Sequence, residues 1–188
     1  QTPTLAAFAL RVRDARDAYR YVVEHGAWPV PVRTEVMELH IPAIRCAGGS
    51  RIYFVDRYRE ISIYDVDFVP VASTAVQRSP GLTYIDHLTH NVARGNMNKW
   101  AGFYERLFNF REIRYFDIEG KVTGVKSKAM TSPCGNIRIP INEEGTEEKG
   151  QIQEYLDLYR GEGIQHIALA TNDIYATVEQ LRKAGLNF

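Results

Sequence analysis

Apolar positions in this chain repeat one arrangement: a short apolar run, a break, then apolar residues at 3.6-residue spacing. Phe8-Ala9-Leu10 leads into Ala15, Ala18, Tyr19, Val22 and Val23, which share one helical face, and Ile167-Ala168-Leu169 leads into Ile174, Val178 and Leu181, which do the same. Ala9 and Ala168, like Gly26 and Gly185, stand at one constant offset of 159 (168 − 9 and 185 − 26). Asp14 and Asp173 fall where a carboxylate suits the unpaired amides of a helix start, and the two glycines where a left-handed cap ends one. The pattern predicts a duplicated strand-then-helix unit.

A third unit begins at Tyr84, and Met97, Trp100, Ala101, Tyr104, Leu107 and Phe108 give it an amphipathic helix with an aromatic core face. Arg111 to Ile118, Lys121 to Met130 and Ile137 to Ile141 then read as strands, separated by turns at Glu119-Gly120 and Ser132-Pro133-Cys134-Gly135. The unit is βαβββ. Asn142 to Gly150, with its acidic run Glu143 to Glu148, reads as a solvated loop, and Ile152, Tyr155, Leu156 and Tyr159 as a short helix. Upstream, Arg51 to Val55 and Ile61 to Tyr64 read as a strand pair, and Val66 to Pro80 as the crossing between modules, with the boundary near Pro80-Gly81.

Two histidines sit near the start of apolar strands, in Thr83-Tyr84-Ile85-Asp86-His87-Leu88 and Gly163-Ile164-Gln165-His166-Ile167-Ala168-Leu169. Strand alternation puts Ile164, His166, Ala168 and Ala170 on one face, where the small alanines leave room beside the imidazole. The residue matching His166 in the first copy is Ala7 (166 − 159), so that copy carries no equivalent ligand. A histidine on an apolar strand is more often a hydrogen-bonded core residue than a ligand, and periodicity alone leaves both readings open. Asp86 could orient His87 as an outer partner, although strict alternation sends neighbouring side chains to opposite faces. His25, at a helix C-terminus, and His40 and His90, which have no repeat partner, are read as non-ligands.

Lys plus Arg and Asp plus Glu both number 23, so no net field favours nucleic acid or an anionic membrane. A small-molecule partner is expected. Cys46 and Cys134 lack a C-x-x-C spacing, and neither a signal peptide nor a membrane-length run is present, so free thiols in a reducing cytoplasm are expected. No phosphate-cradling glycine loop and no Gly-x-Ser-x-Gly elbow occurs. The chain starts at Gln1 and stops at Phe188 before the second copy is complete, which predicts a piece of a longer enzyme.

Long motifs in the chain carry a family resemblance: Leu82-Thr83-Tyr84-Ile85-Asp86-His87-Leu88-Thr89-His90-Asn91-Val92, the stretch Ser127 to Asn142, Gln151-Ile152-Gln153-Glu154-Tyr155 through Leu169, and Ser50 to Pro70. Over nearly its whole length it resembles the bacterial 4-hydroxyphenylpyruvate dioxygenases of the vicinal-oxygen-chelate superfamily. The resemblance implies an α+β fold of paired βαβββ modules of the glyoxalase/bleomycin-resistance type. Residues 1–80 would be the C-terminal part of a non-catalytic N-terminal module plus linker, and residues 81–188 the N-terminal part of the metal-binding module.

It further implies that His87 and His166 are two of three protein ligands to non-haem Fe(II), the third being a glutamate beyond Phe188. Ser127, Asn142, Gln151 and Gln165 would line the substrate pocket, although alternation points Gln165 away from His166. Two imidazoles and a carboxylate on one face of iron leave positions for a chelating 2-oxo acid and for O2. The implied reaction turns 4-hydroxyphenylpyruvate and O2 into homogentisate and CO2, a step of tyrosine catabolism, in a homo-oligomer that binds neither nucleic acid nor membrane. Alternatives are 4-hydroxymandelate synthase, which hydroxylates the side chain instead of the ring, and a non-catalytic scaffold fragment of the same fold. The 188-residue chain alone is expected to be inactive.

Overall fold

In a computed structural model, which describes residues 3–31, 38–70, 79–119, 124–146 and 148–187, the repeat predicted above becomes two strand-and-helix pairs. β1 (Ala7–Arg11) precedes α1 (Ala15–Glu24), and β8 (Gly163–Thr171) precedes α5 (Ile174–Lys183). Both helix bounds are displaced by the same 159 positions (174 − 15 and 183 − 24). Asp14 accepts from the amide of Asp17 and Asp173 from that of Ala176, so each carboxylate satisfies an orphan donor of its first turn. Gly26 and Gly185 leave the helices at φ of +90° and +95°, where a Cβ is strained. The copies differ in packing: α1 buries Ala15 and Val22, whereas α5 buries only Thr177 and leaves Ile174 exposed.

Between these pairs lie β2 (Ala43–Arg45), β3 (Arg51–Val55), α2 (Ile63–Asp67), β4 (Leu82–Asn91), α3 (Met97–Phe108), β5 (Arg111–Glu119), β6 (Gly124–Thr131), β7 (Arg138–Glu144) and α4 (Gln151–Tyr159). The predicted βαβββ unit is β4-α3-β5-β6-β7. It forms a sheet of order β5-β6-β7-β4-β8, while β1, β3 and β2 form a smaller sheet in the order β1-β3-β2. A single bridge between Leu5 and Ile164 joins the edge of β8 to the chain entering β1. The aromatic face of α3 packs on Met130, Ile139 and Ile141, and the same core continues through Leu10, Val22, Ile44, Ile52 and Phe54 of the first segment.

Two predictions fail for identifiable reasons. Ile61 to Tyr64, expected as a strand, enters α2, because the Asp65 carboxylate accepts from both the backbone N–H and the hydroxyl of Ser62 and so nucleates a helical turn. The Glu143 to Glu148 run is not wholly a solvated loop: β7 extends to Glu144, and Glu143 and Glu144 are only 8% and 5% exposed. Each is buried as a helix cap. Glu143 Oε2 accepts from the amides of Gly95 and Met97 at the start of α3, and Glu144 Oε1 from those of Gly150, Ile152 and Gln153 at the start of α4. The short strand β2 was not foreseen, since three residues show no period. Residues 121–123 of the expected Lys121 to Met130 strand, and 71–78 of the Val66 to Pro80 crossing, lie outside the described residues.

Candidate metal centre

The register of the large sheet decides which side chains meet. In parallel pairing β4 sets His87 beside Arg138 and Asn91 beside Asn142, and antiparallel β6 sets Ser127 beside Asn142. Paired residues project to the same side, so His87, Asn91, Arg138, Asn142 and Ser127 share one face. The opposite face carries His90, Ile139, Ile141 and Met130 under α3. β8 adds His166 opposite Thr89 and Ala168 opposite His87, again on the first face.

Two bulges then break strict alternation where it matters. Ile85 pairs with Leu169 but His87 with Ala168, so Asp86 is an extra residue in β4; Thr89 pairs with His166 but His90 with Ile164, so Gln165 is an extra residue in β8. A bulge lets two successive side chains turn to the same side. Asp86 accordingly reaches the ring of its own neighbour, accepting from His87 Nδ1 at 2.8 Å, and its other oxygen accepts from Arg138 at 2.9 Å. Gln165 likewise turns its amide oxygen to Nδ1 of His166. Alternation had pointed both side chains away.

With each Nδ1 proton held by an oxygen, both rings present Nε2 as a lone pair, and these two nitrogens lie 3.4 Å apart with ring centroids at 5.4 Å. Two ligands about 2.1 Å from one ion can stand up to about 4.2 Å apart, so the pair fits a shared cation. The Thr89 hydroxyl donates to His166 Nε2 at 3.0 Å, a bond an arriving cation would replace. Partial burial lowers the His166 pKa, and the neighbouring His87 lowers it further, which keeps the ring in the neutral form that binds metal. Among the described residues no group of three or more His, Cys, Asp and Glu is arranged to hold a metal.

Of the residues expected in a pocket, Ser127 and Asn142 are direct cross-strand neighbours on the histidine face, and Gln165 touches His166. Gln151 is the exposed first residue of α4, and no contact joins it to the two histidines among the described residues. Arg138, Thr89 and Asn91 were missed. The first two are revealed only by cross-strand register, and Asn91 by a buried amide oxygen without a hydrogen-bond partner among the described residues. A cavity of about 560 Å³ lies elsewhere, against α1 and β3, lined by Tyr19, His40, Phe54 and Arg57 and by none of the predicted site residues. His90 belongs to the core, bonded through Nε2 to the Tyr104 hydroxyl at 2.7 Å beside Cys46. Cys46 and Cys134 are both unpaired, the first buried and the second exposed.

The βαβββ sheet of β4, α3, β5, β6 and β7, extended by the β8-α5 pair, is the architecture of the vicinal-oxygen-chelate class. The chain belongs to the Glyoxalase/Bleomycin resistance protein/Dioxygenase superfamily, whose model matches residues 84–188, and residues 1–69 match the N-terminal hydroxyphenylpyruvate dioxygenase family. It is 57% identical over 187 residues to a 4-hydroxyphenylpyruvate dioxygenase of Pseudomonas aeruginosa, covering 99% of this chain and 52% of that protein. It is 56% identical to a protein named hemolysin VllY of Vibrio vulnificus, covering 99% of this chain and 53% of the other. The chain thus spans about half the length of the curated relatives it matches. A solved triple mutant of 4-hydroxymandelate synthase from Streptomyces coelicolor shares the fold, with a TM-score of 0.78 at 21% identity, over 97% of this chain and 54% of that one. Among the described residues no helix is long and apolar enough to cross a membrane.

Proposed function

We propose that the whole protein is an Fe(II)-dependent dioxygenase that converts 4-hydroxyphenylpyruvate and O2 to homogentisate and CO2 in tyrosine catabolism. The observation that carries this reading is the approach of His87 Nε2 to His166 Nε2, 3.4 Å apart, with both Nδ1 atoms committed to oxygens behind them. High identity to the Pseudomonas aeruginosa enzyme supports the same reading. His87 and His166 would hold the iron, which when bound supplies open positions and one-electron chemistry for a chelating 2-oxo acid and O2.

The chain's own residues bind and orient. Ser127 and Asn142, side by side on β6 and β7, offer a hydroxyl and an amide to substrate oxygens, and Gln151 would approach from the start of α4. Gln165 steadies the His166 ring and stays within reach of a ligand beside it. Ala168, opposite His87, leaves volume next to the imidazoles. Ile152, Tyr155 and Leu156 of α4 pack with Val125 and limit water at that end of the face.

We divide the chain into residues 1–80, a non-catalytic module with its linker, and 81–188, part of the metal-binding module; the separate family matches on either side support that division. With two imidazoles and no third ligand grouped with them among the described residues, the 188-residue chain is proposed to turn over no substrate alone. A cytoplasmic, homo-oligomeric protein completes the reading, and the unpaired thiols are in keeping with a reducing compartment. The test is anaerobic reconstitution of the whole protein with Fe(II), followed by O2 uptake and product analysis with 4-hydroxyphenylpyruvate. One iron per chain, stoichiometric uptake and homogentisate are expected. 4-Hydroxymandelate as the product would assign side-chain hydroxylation, and absence of iron binding would leave a scaffold.

A further inference from the structure

His87 is aimed by a chain of two bonds that begins on another strand. The bulge at Asp86 turns its carboxylate toward His87, and the parallel register brings Arg138 directly beside His87, so the guanidinium reaches back to Asp86. One carboxylate oxygen accepts from Arg138 at 2.9 Å and the other from His87 Nδ1 at 2.8 Å. The three side chains are only partly exposed, at 29% for His87, 33% for Asp86 and 41% for Arg138. Among the described residues Arg138 has no other side-chain partner than Asp86.

An isolated aspartate at this depth could rotate away to water and leave the imidazole free to exchange tautomers. The tautomer with its proton on Nε2 has no lone pair on that nitrogen and cannot ligate through it. A guanidinium on the far oxygen removes that freedom, because it fixes the carboxylate by a charge-assisted bond and leaves one oxygen for Nδ1. We propose that Arg138 is a positioning residue for the metal centre, acting through Asp86 to hold His87 in the Nδ1-protonated tautomer with Nε2 aimed at the ion. The proposal rests on the reading of His87 as a ligand.

The test uses the whole protein and two measurements. In metal-free protein labelled with 15N-histidine, NMR should report His87 as the Nδ1–H tautomer; Arg138→Gln should give a mixture, Asp86→Ala a larger loss, and Arg138→Lys the wild-type pattern. Anaerobic titration with Fe(II) alone should show Arg138→Gln binding about tenfold more weakly, the lower end of the range for outer partners of metal ligands, with Arg138→Lys close to wild type. Unfolding midpoints are measured alongside. Wild-type tautomer and affinity in Arg138→Gln would overturn the proposal, as would an affinity loss that follows the midpoint and that Lys fails to rescue. If wild-type protein bound no Fe(II), the ligand reading would fall, while the metal-free tautomer measurement would still decide whether Arg138 sets the state of His87.

Discussion

Asp86 accepts a hydrogen bond from the ring of its immediate neighbour His87 at 2.8 Å, a contact that two consecutive residues of a regular strand cannot make. It exists because β4 carries one more residue than β8 between Ile85 and His87. The same device recurs at Gln165 and His166, so each imidazole is oriented by the residue just before it and by an extra residue in its strand. Irregularity in the sheet is therefore what builds this site.

The ligand reading separates from the core-histidine reading through stability. His166 is exposed as a residue and packs little apolar surface, so His166→Ala should change the unfolding free energy by less than about 1 kcal/mol. Iron content of the reconstituted whole protein should fall to background. Iron retained in a destabilised variant would return His166 to the core-histidine class; metal analysis with a thermal melt measures both.

His90 gives a pH dependence of stability. Its burial against Tyr104 pushes its pKa down from 6.5 to about 4, so the folded state refuses a proton that the unfolded chain accepts. Above the unfolded value both states are neutral and the fold carries no penalty. As pH falls from 6.5 toward about 4 stability is lost, by roughly 3 kcal/mol in all for this one group. Urea unfolding of wild type and His90→Gln at several pH values isolates it: the variant should show the shallower fall across that window.

How much of this was legible in the sequence varies with the kind of interaction. Short-range periodicity disclosed β1, α1, α3, α4, β8 and α5, and the paired aspartates and glycines marked both copies of the repeat down to their caps. The two histidines could be picked out by position, and their approach follows from β8 lying antiparallel against β4. Arg138, Thr89 and the turned side chains of Asp86 and Gln165 depend on inter-strand register and on bulges. No local pattern encodes these, because the extra residue is defined only relative to its partner strand. The buried glutamates were hidden for a related reason: an acidic run signals solvent unless one knows which helix starts it will meet.

Those glutamates make a stability prediction. Glu143 accepts from two amides at the head of α3, at 3.0 and 3.1 Å, inside the core-facing layer. Glu143→Ala leaves the buried Met97 amide without an acceptor and the Gly95 amide to water, and should cost about 1–3 kcal/mol. Glu143→Gln keeps an acceptor and loses only the charge, so it should cost less. Denaturant unfolding of the two variants checks the order.

Gly48 holds the first segment against the start of β8. Its φ of +63° already favours glycine, and a Cβ there would stand 1.6 Å from the carbonyl oxygen of Glu162, a backbone atom with no rotamer to escape through. Glu162 in turn fixes the approach to α3, its carboxylate accepting from the Ala93 amide at 3.0 Å and the Trp100 indole at 2.8 Å. Gly48→Ala must therefore push the turn away from the leading end of β8, the strand that carries His166. We expect a loss of more than about 2 kcal/mol in unfolding free energy, within the range for strained and overpacked sites. Fe(II) affinity should fall as well, because His166 moves relative to His87, whereas Gly49→Ala, where φ is +79° but nothing lies within 4 Å of the added carbon, should show the backbone strain alone and keep iron. Equal iron affinity in the two variants would mean that the turn does not position β8.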